Sequence, residues 1–168
     1  MPNKPKLLYW DSCIFLAWLK DEKRAEGEMS GLISVIREIE KKKFSVTTSV
    51  ITITEVLPVS SGPQVVMNFK KLFQRSNFQM INVDERVASK ASEIRNHYVK
   101  EAKERKRQSL GFADILHLAT AITVGASIFH TFDGSSGKEG LLDLNGDVAG
   151  FPLVIEKPST AQKEFDFE

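Results

Sequence analysis

The sequence holds 168 residues, enough for one domain of ordinary size. A hydrophobic fraction of 42% and a charged fraction of 27% exclude a largely disordered chain and supply a core without staples. A net charge of +1, from 23 basic and 22 acidic residues, rules out reading nucleic-acid binding from bulk charge and leaves it to local patches.

Cys13 is the only cysteine, so no internal disulfide forms and a reducing cytoplasm is expected. The opening MPNKPKLLYWDS lacks the long apolar stretch of a signal peptide. The most apolar region, residues 115–129, contains His117 and Gly125 and falls short of the roughly 20 helical residues of a membrane span. No membrane association is expected.

In chain order, Lys6–Trp10 (KLLYW) reads as a buried strand that ends at Asp11, and Ser12–Leu19 as an apolar helix. Met29–Lys42 carries Leu32, Ile33, Ile36 and Ile39 at helical spacing. Phe44–Thr48 is β-branched and aromatic, a second strand. Ser49 is placed to cap a helix that holds Glu55 and stops near Pro58.

Gly62-Pro63 opens a further helix, and Phe78–Val83 reads as a third strand. Asp84 is placed to cap a long helix with Val87, Ala91, Ile94 and Tyr98 on one face. Gly111 precedes a helix with Asp114, Leu118 and Ile122, which ends at Gly125. Ser127–Phe132 is a fourth strand, Leu153–Ile155 a fifth after a Gly/Ser-rich loop, and residues 158–168 a tail. The expected fold is α/β, three layers around a mostly parallel sheet of about five strands, with the domain over residues 1–157.

In such a sheet, ligands bind outside the carboxyl ends of the strands. Asp11 and Asp133 directly follow strands there, while Glu55 and Asp114 lie on helices that follow the second strand and Gly111. Four carboxylates in one cleft need protonation, cationic side chains or a metal to offset their repulsion. Hard oxygen ligands suit Mg²⁺ or Mn²⁺, which activates water and stabilises a phosphodiester's leaving oxygen.

The same four places carry a family resemblance. LLYWDSCIFLAWL resembles the opening of PIN domains, an apolar strand, Asp, a small hydroxyl residue and an apolar helix. TTSVITITEVLP, FADILHLATA and SIFHTFDGS resemble their second, third and fourth motifs. The resemblance implies a metal-dependent endoribonuclease using Mg²⁺ or Mn²⁺, with Asp11, Glu55, Asp114 and Asp133 as the acidic site and Ser12 and Thr131 as its small polar neighbours. Asp11 and Asp114 match the surest metal ligands, with Glu55 and Asp133 completing the shell directly or through water. It further implies an RNA substrate, a homodimer, and a VapC-type toxin held by an antitoxin protein. Trp18 and Ile36 are the exposed apolar candidates for a dimer face. The chain departs from the pattern in its long loop, Gly134–Gly150, and in its added basic stretch and tail.

His117, three residues after Asp114, reads as a packed, hydrogen-bonded histidine or as a group contacting substrate or orienting Asp114. The basic run that includes Lys103, Arg105, Lys106 and Arg107 reads as an RNA-backbone contact or a solvated helix end. Cys13 reads as a small buried hydrophobe. Gly134-Ser135-Ser136-Gly137-Lys138 is too short for a P-loop, and Asp143–Asp147 lacks a calcium loop's spacing. A phosphoaspartate phosphatase would want an Asp at position 13 and a receiver a Lys at a late strand end. The remaining alternative is a PIN-like module that binds RNA or protein without cutting.

Overall fold

The computed structural model describes residues 5–58 and 61–160. Five strands form one sheet, β1 (Lys6–Trp10), β2 (Phe44–Ser49), β3 (Phe78–Ile81), β4 (Ile128–His130) and β5 (Ile155–Glu156). Their order is β3-β2-β1-β4-β5 and every pairing is parallel. The helices are α1 (Ser12–Leu19), α2 (Glu28–Glu40), α3 (Thr52–Val56), α4 (Pro63–Leu72), α5 (Glu85–Lys103) and α6 (Phe112–Thr123). This is the three-layer α/β fold expected from the sequence.

The alternation of β1 divides the core. Leu8 and Trp10 join Phe15, Leu32, Phe69 and Phe78 on one side, beneath α1, α2 and α4. Tyr9 faces the other way and packs with Phe129, Ile94 and Leu118 beneath α5 and α6. Edge-to-face pairs from Trp10 to Phe15, Trp18 and Phe78 fill the first layer. Ile36 belongs to this layer and is buried, so it offers no dimer face, whereas Trp18 is half-buried at its margin.

Register explains where the strands stop. β3 ends at Ile81 and not Val83 because its partner β2 ends at Ser49. β4 ends at His130 because β1 ends at Trp10, which leaves Thr131 and Phe132 to contact side chains. β5 falls on Ile155 and Glu156, opposite Phe129 and His130. Ser49 therefore belongs to β2; the N-cap of α3 is Ile51, which offers no side-chain bond. Asp84 does cap α5, accepting from Val87 N at 3.0 Å. A 3₁₀ turn at Leu141–Leu144, unexpected from the sequence, organises the loop after β4.

After β5 the chain is tied to α2. Lys157 Nζ lies 3.1 Å from the buried Glu28 carboxylate, and Pro158 is buried where a Cβ at Gly31 would collide with its carbonyl. Of the expected tail, residues 161–168 lie outside the described residues.

His130 sits beside Trp10 in register and is 1% exposed. Neither of its ring nitrogens has a hydrogen-bond partner among the described residues, nor has Trp10 Nε1. Burial pushes the imidazole down to about 4. Between that value and about 6.5 the unfolded chain binds a proton that the folded chain refuses, so stability is lost as pH falls through this window. Denaturant unfolding at pH 7 and pH 4 should show wild type losing about 3 kcal/mol more than His130→Phe. Equal losses in the two proteins would show that burial does not hold this ring neutral.

Candidate active site

The sheet order changes direction at β1, with β2 on one side and β4 on the other. The crevice outside the carboxyl ends at that switch point is where ligands bind in open α/β sheets. Asp11 lies there. It is the N-cap of α1, where a short carboxylate in extended backbone meets the first free amides. Oδ1 accepts from Ser12 N at 2.7 Å and Oδ2 from the Thr131 hydroxyl at 2.8 Å. Thr131 Oγ1 also accepts from Asp133 N at 3.0 Å, so one hydroxyl joins the ends of β1 and β4.

Cys13 adjoins this pair. Its sulfur accepts from Phe132 N at 3.4 Å and lies 3.5 Å from Asp11 Oδ2. Burial, together with the Asp11 charge, pushes its thiol well above the usual range. It is therefore a protonated neighbour and not a nucleophile.

Glu55 stands on α3, half-buried, with Oε2 2.6 Å from His117 Nε2. His117 is fully buried on α6, and its Nδ1 lies 2.7 Å from the Tyr9 hydroxyl. Its Nε2 also approaches Asp11 Oδ1, at 3.7 Å. Burial favours the neutral ring. The Glu55 bond and the charges of Asp11, Glu55 and Asp114 outweigh it and hold the ring above its ordinary value.

Asp114 lies in the first turn of α6, where the helix end favours an anion. A Cβ at Gly111 would stand 3.0 Å from Asp114 Oδ2, so the glycine leaves the carboxylate room to fold back. Asp133 is exposed; its Oδ2 accepts from Leu141 N at 2.9 Å and its carbonyl from Leu142 N at 3.0 Å. The long loop thus returns onto Asp133, and Gly140 is needed because a Cβ there would strike the Gly134 backbone.

Asp114 senses the other three acids. Burial first, then the charges of Asp11 and Asp133, with Glu55 adding and His117 opposing, raise the Asp114 carboxyl to about 6. Among the described residues no lysine or arginine makes an ion pair with any of the four; His117 alone does. The site carries excess negative charge on oxygen donors, a set suited to a hard divalent cation. As the side chains stand, no three His, Cys, Asp or Glu groups among the described residues already form a cation-binding group.

The other expected contacts scatter. Ser12 adds its amide to Asp11. Lys103, Arg105 and Lys106 are exposed at and beyond the end of α5, with Lys106 paired to Glu104. Arg107 is nearly buried, 3.5 Å from Glu139 and over the Tyr98 ring. Sequence reasoning missed Tyr9. It reads as one apolar residue of KLLYW, and nothing local marks a hydroxyl whose partners lie on β2 and α6.

A family model described as the PIN domain matches residues 8–135. No curated protein sequence matches the chain. In fold the chain is similar to VapBC2 from Rickettsia felis bound to a promoter DNA fragment, with 16% identity, TM-score 0.62, and coverage of 89% of this chain and 97% of that one. It is also similar to a toxin–antitoxin complex from Klebsiella pneumoniae, with 16% identity, TM-score 0.52 and coverage of 90% and 97%. A third likeness is VapC20 from Mycobacterium tuberculosis, a toxin that cleaves the sarcin-ricin loop, with 16% identity, TM-score 0.52 and coverage of 77% and 94%.

The Asp114 charge has a stability signature. Its folded value lies above the unfolded one of about 3.9, so the folded state is penalised as pH rises from about 4 through 6 and the penalty is complete above that. Asp114→Asn should stabilise the metal-free protein at pH 7.5 by about 1–2 kcal/mol, allowing for solvent screening of a partly open group. The gain should vanish at pH 4. Urea unfolding in chelator at both pH values measures it, and a gain equal at both would rule out charge repulsion as its source.

Proposed function

Because the chain belongs to the PIN-domain family, we propose that it is a metal-dependent endoribonuclease and the toxin of a toxin–antitoxin pair. The observation that carries this reading is the placing of Asp11, Asp114 and Asp133, from separate elements, at the carboxyl ends of the central strands. Burial and the charges of Asp11 and Asp133 raise the Asp114 carboxyl, and among the described residues no lysine or arginine makes an ion pair with any of the three. An acidic cluster of this kind on the open end of a parallel sheet fits a divalent cation and a polyanion brought together.

Asp11, Asp114, Glu55 and Asp133 would hold Mg²⁺ or Mn²⁺, which supplies Lewis-acid stabilisation of phosphodiester hydrolysis. The protein's own groups do the rest. Thr131 and the Ser12 amide fix the Asp11 carboxylate, so that it presents in one orientation. Glu55 and Asp133 provide carboxylate oxygens that accept hydrogen bonds from the attacking water and orient it. Lys103, Arg105 and Lys106 give exposed positive charge for an RNA backbone. Arg107, held by Glu139 and Tyr98, shapes that segment. Antitoxin binding, dimerisation and a cytoplasmic setting are part of the proposal, supported by the family and by the toxin–antitoxin assemblies that share the fold. No described helix is long and apolar enough to cross a membrane.

Cleavage of a mixed RNA pool tests the reading. Wild-type protein should cut in Mg²⁺ or Mn²⁺ and stop in chelator. Asp11→Asn and Asp114→Asn should each lose at least about 100-fold in rate, beyond the range for a group that only supports a ligand. Metal-independent cutting, or folded Asn variants that still cut at the wild-type rate, would displace this site from the reaction. Metal-loaded wild type that leaves the pool intact would favour a module that binds without cutting.

A further inference from the structure

Two buried residues outside the acidic cluster link Glu55 to β1. Glu55 rides on a five-residue helix whose N-cap makes no side-chain bond. Such a short element fixes its side chains poorly. Its carboxylate meets His117 Nε2 at 2.6 Å. His117 Nδ1 meets the Tyr9 hydroxyl at 2.7 Å, and the two rings stand edge to face at 73° with centroids 5.8 Å apart. The Tyr9 hydroxyl accepts from Ser49 N at 3.1 Å, and both rings are fully buried.

An ionised carboxylate only accepts, so Nε2 carries the hydrogen toward Glu55 whether the ring is neutral or charged. Nδ1 accepts from Tyr9 in the first case and donates to it in the second. A flipped ring would face carbon to both partners and forfeit both bonds. A histidine kept for bulk alone would need neither contact.

We propose that His117 and Tyr9 are positioning residues: a relay from β1 through α6 that orients the Glu55 carboxylate beside Asp11 and Asp114. The inference rests on the nuclease reading. β1 then supplies Asp11 directly and, one residue earlier, the hydroxyl that locks the relay. α6 supplies Asp114 and, one turn later, the ring that holds the acid of another helix.

The first test is ¹⁵N NMR of the imidazole in the full-length, metal-free chain. A slowly exchanging, downfield Nε2 proton on His117 is expected; it should disappear in Glu55→Ala, and the Nδ1 resonance should shift in Tyr9→Phe. A His117 proton indifferent to Glu55→Ala overturns the relay whether or not RNA is cut. The second test pairs Mn²⁺ titration with steady-state cleavage. His117→Leu should weaken Mn²⁺ binding and lower kcat by about 10- to 100-fold, leaving KM for RNA unchanged. His117→Gln, which keeps an N–H donor, should recover part of both. The double variant with Glu55→Gln should be no worse than Glu55→Gln alone.

A folded His117→Leu protein with wild-type Mn²⁺ affinity and kcat, or losses that add in the double variant, reduces His117 to packing and overturns the proposal. Should His117→Leu fail to fold, Tyr9→Phe and His117→Gln carry the same comparison. Wild type that neither binds Mn²⁺ nor cuts is a different result and removes the nuclease reading itself.

Discussion

The burial of Asp114 beside the charges of Asp11, Asp133 and Glu55 is the constraint around which the end of this sheet is arranged. Charges of one sign at the end of a sheet oppose folding unless each is fixed by something stronger than its neighbours' push. The chain answers with short-range hydrogen bonds from different elements. Asp11 takes an amide of α1 and the hydroxyl of Thr131, Asp133 takes the Leu141 amide, and Glu55 takes the ring of His117. Among the described residues Asp114 is given the least, a helix end, the space beside Gly111 and the opposing charge of His117. It is also the one whose carboxyl is raised. A raised carboxyl in a cleft is the mark by which a candidate site is recognised.

Three of the four acidic residues stand out in the sequence because they lie at element boundaries. Asp11 closes an apolar run of five, Asp133 follows SIFHTF, and Asp114 sits just past a glycine that breaks the helical pattern. What holds them was legible only in part: the family resemblance named Ser12 and Thr131 as neighbours without giving their bonds, and Tyr9, 108 residues from His117 in sequence, was missed. No local pattern reports such pairings. Strand limits failed for a related reason. Apolar character continues through Val83 and Phe132, but pairing stops where the partner strand does. Ser49 had the chemistry of a cap, yet a ladder position on β2 claimed it first.

His117 illustrates how two readings of one residue merge. It is a packed, hydrogen-bonded histidine, fully enclosed, and the acid it bonds is Glu55 and not the Asp114 that shares its helix. Spacing on a helix says which side chains share a face, but it does not say which neighbour from another element fills the space between them. Ile36 shows the same limit in reverse: its periodicity was clear, and the layer of α2 against the sheet then buried it.

The period of two in β1 gives the deeper reason that fold and site are inseparable here. Leu8 and Trp10 point into a layer of aliphatic and aromatic side chains that asks only for volume. Tyr9, between them, points into the other layer and carries a hydroxyl to the one place where Ser49 N and His117 meet. A slip of one residue in the pairing of β1 would send the tyrosine into the aromatic layer, leave its hydroxyl without partners, and turn Trp10 toward α6. Asp11 would leave the end of β4 in the same movement, and with it the Thr131 bond. Register in this strand is therefore specified twice, by core packing on both faces and by the polar contacts at its end, and a slip would lose both at once.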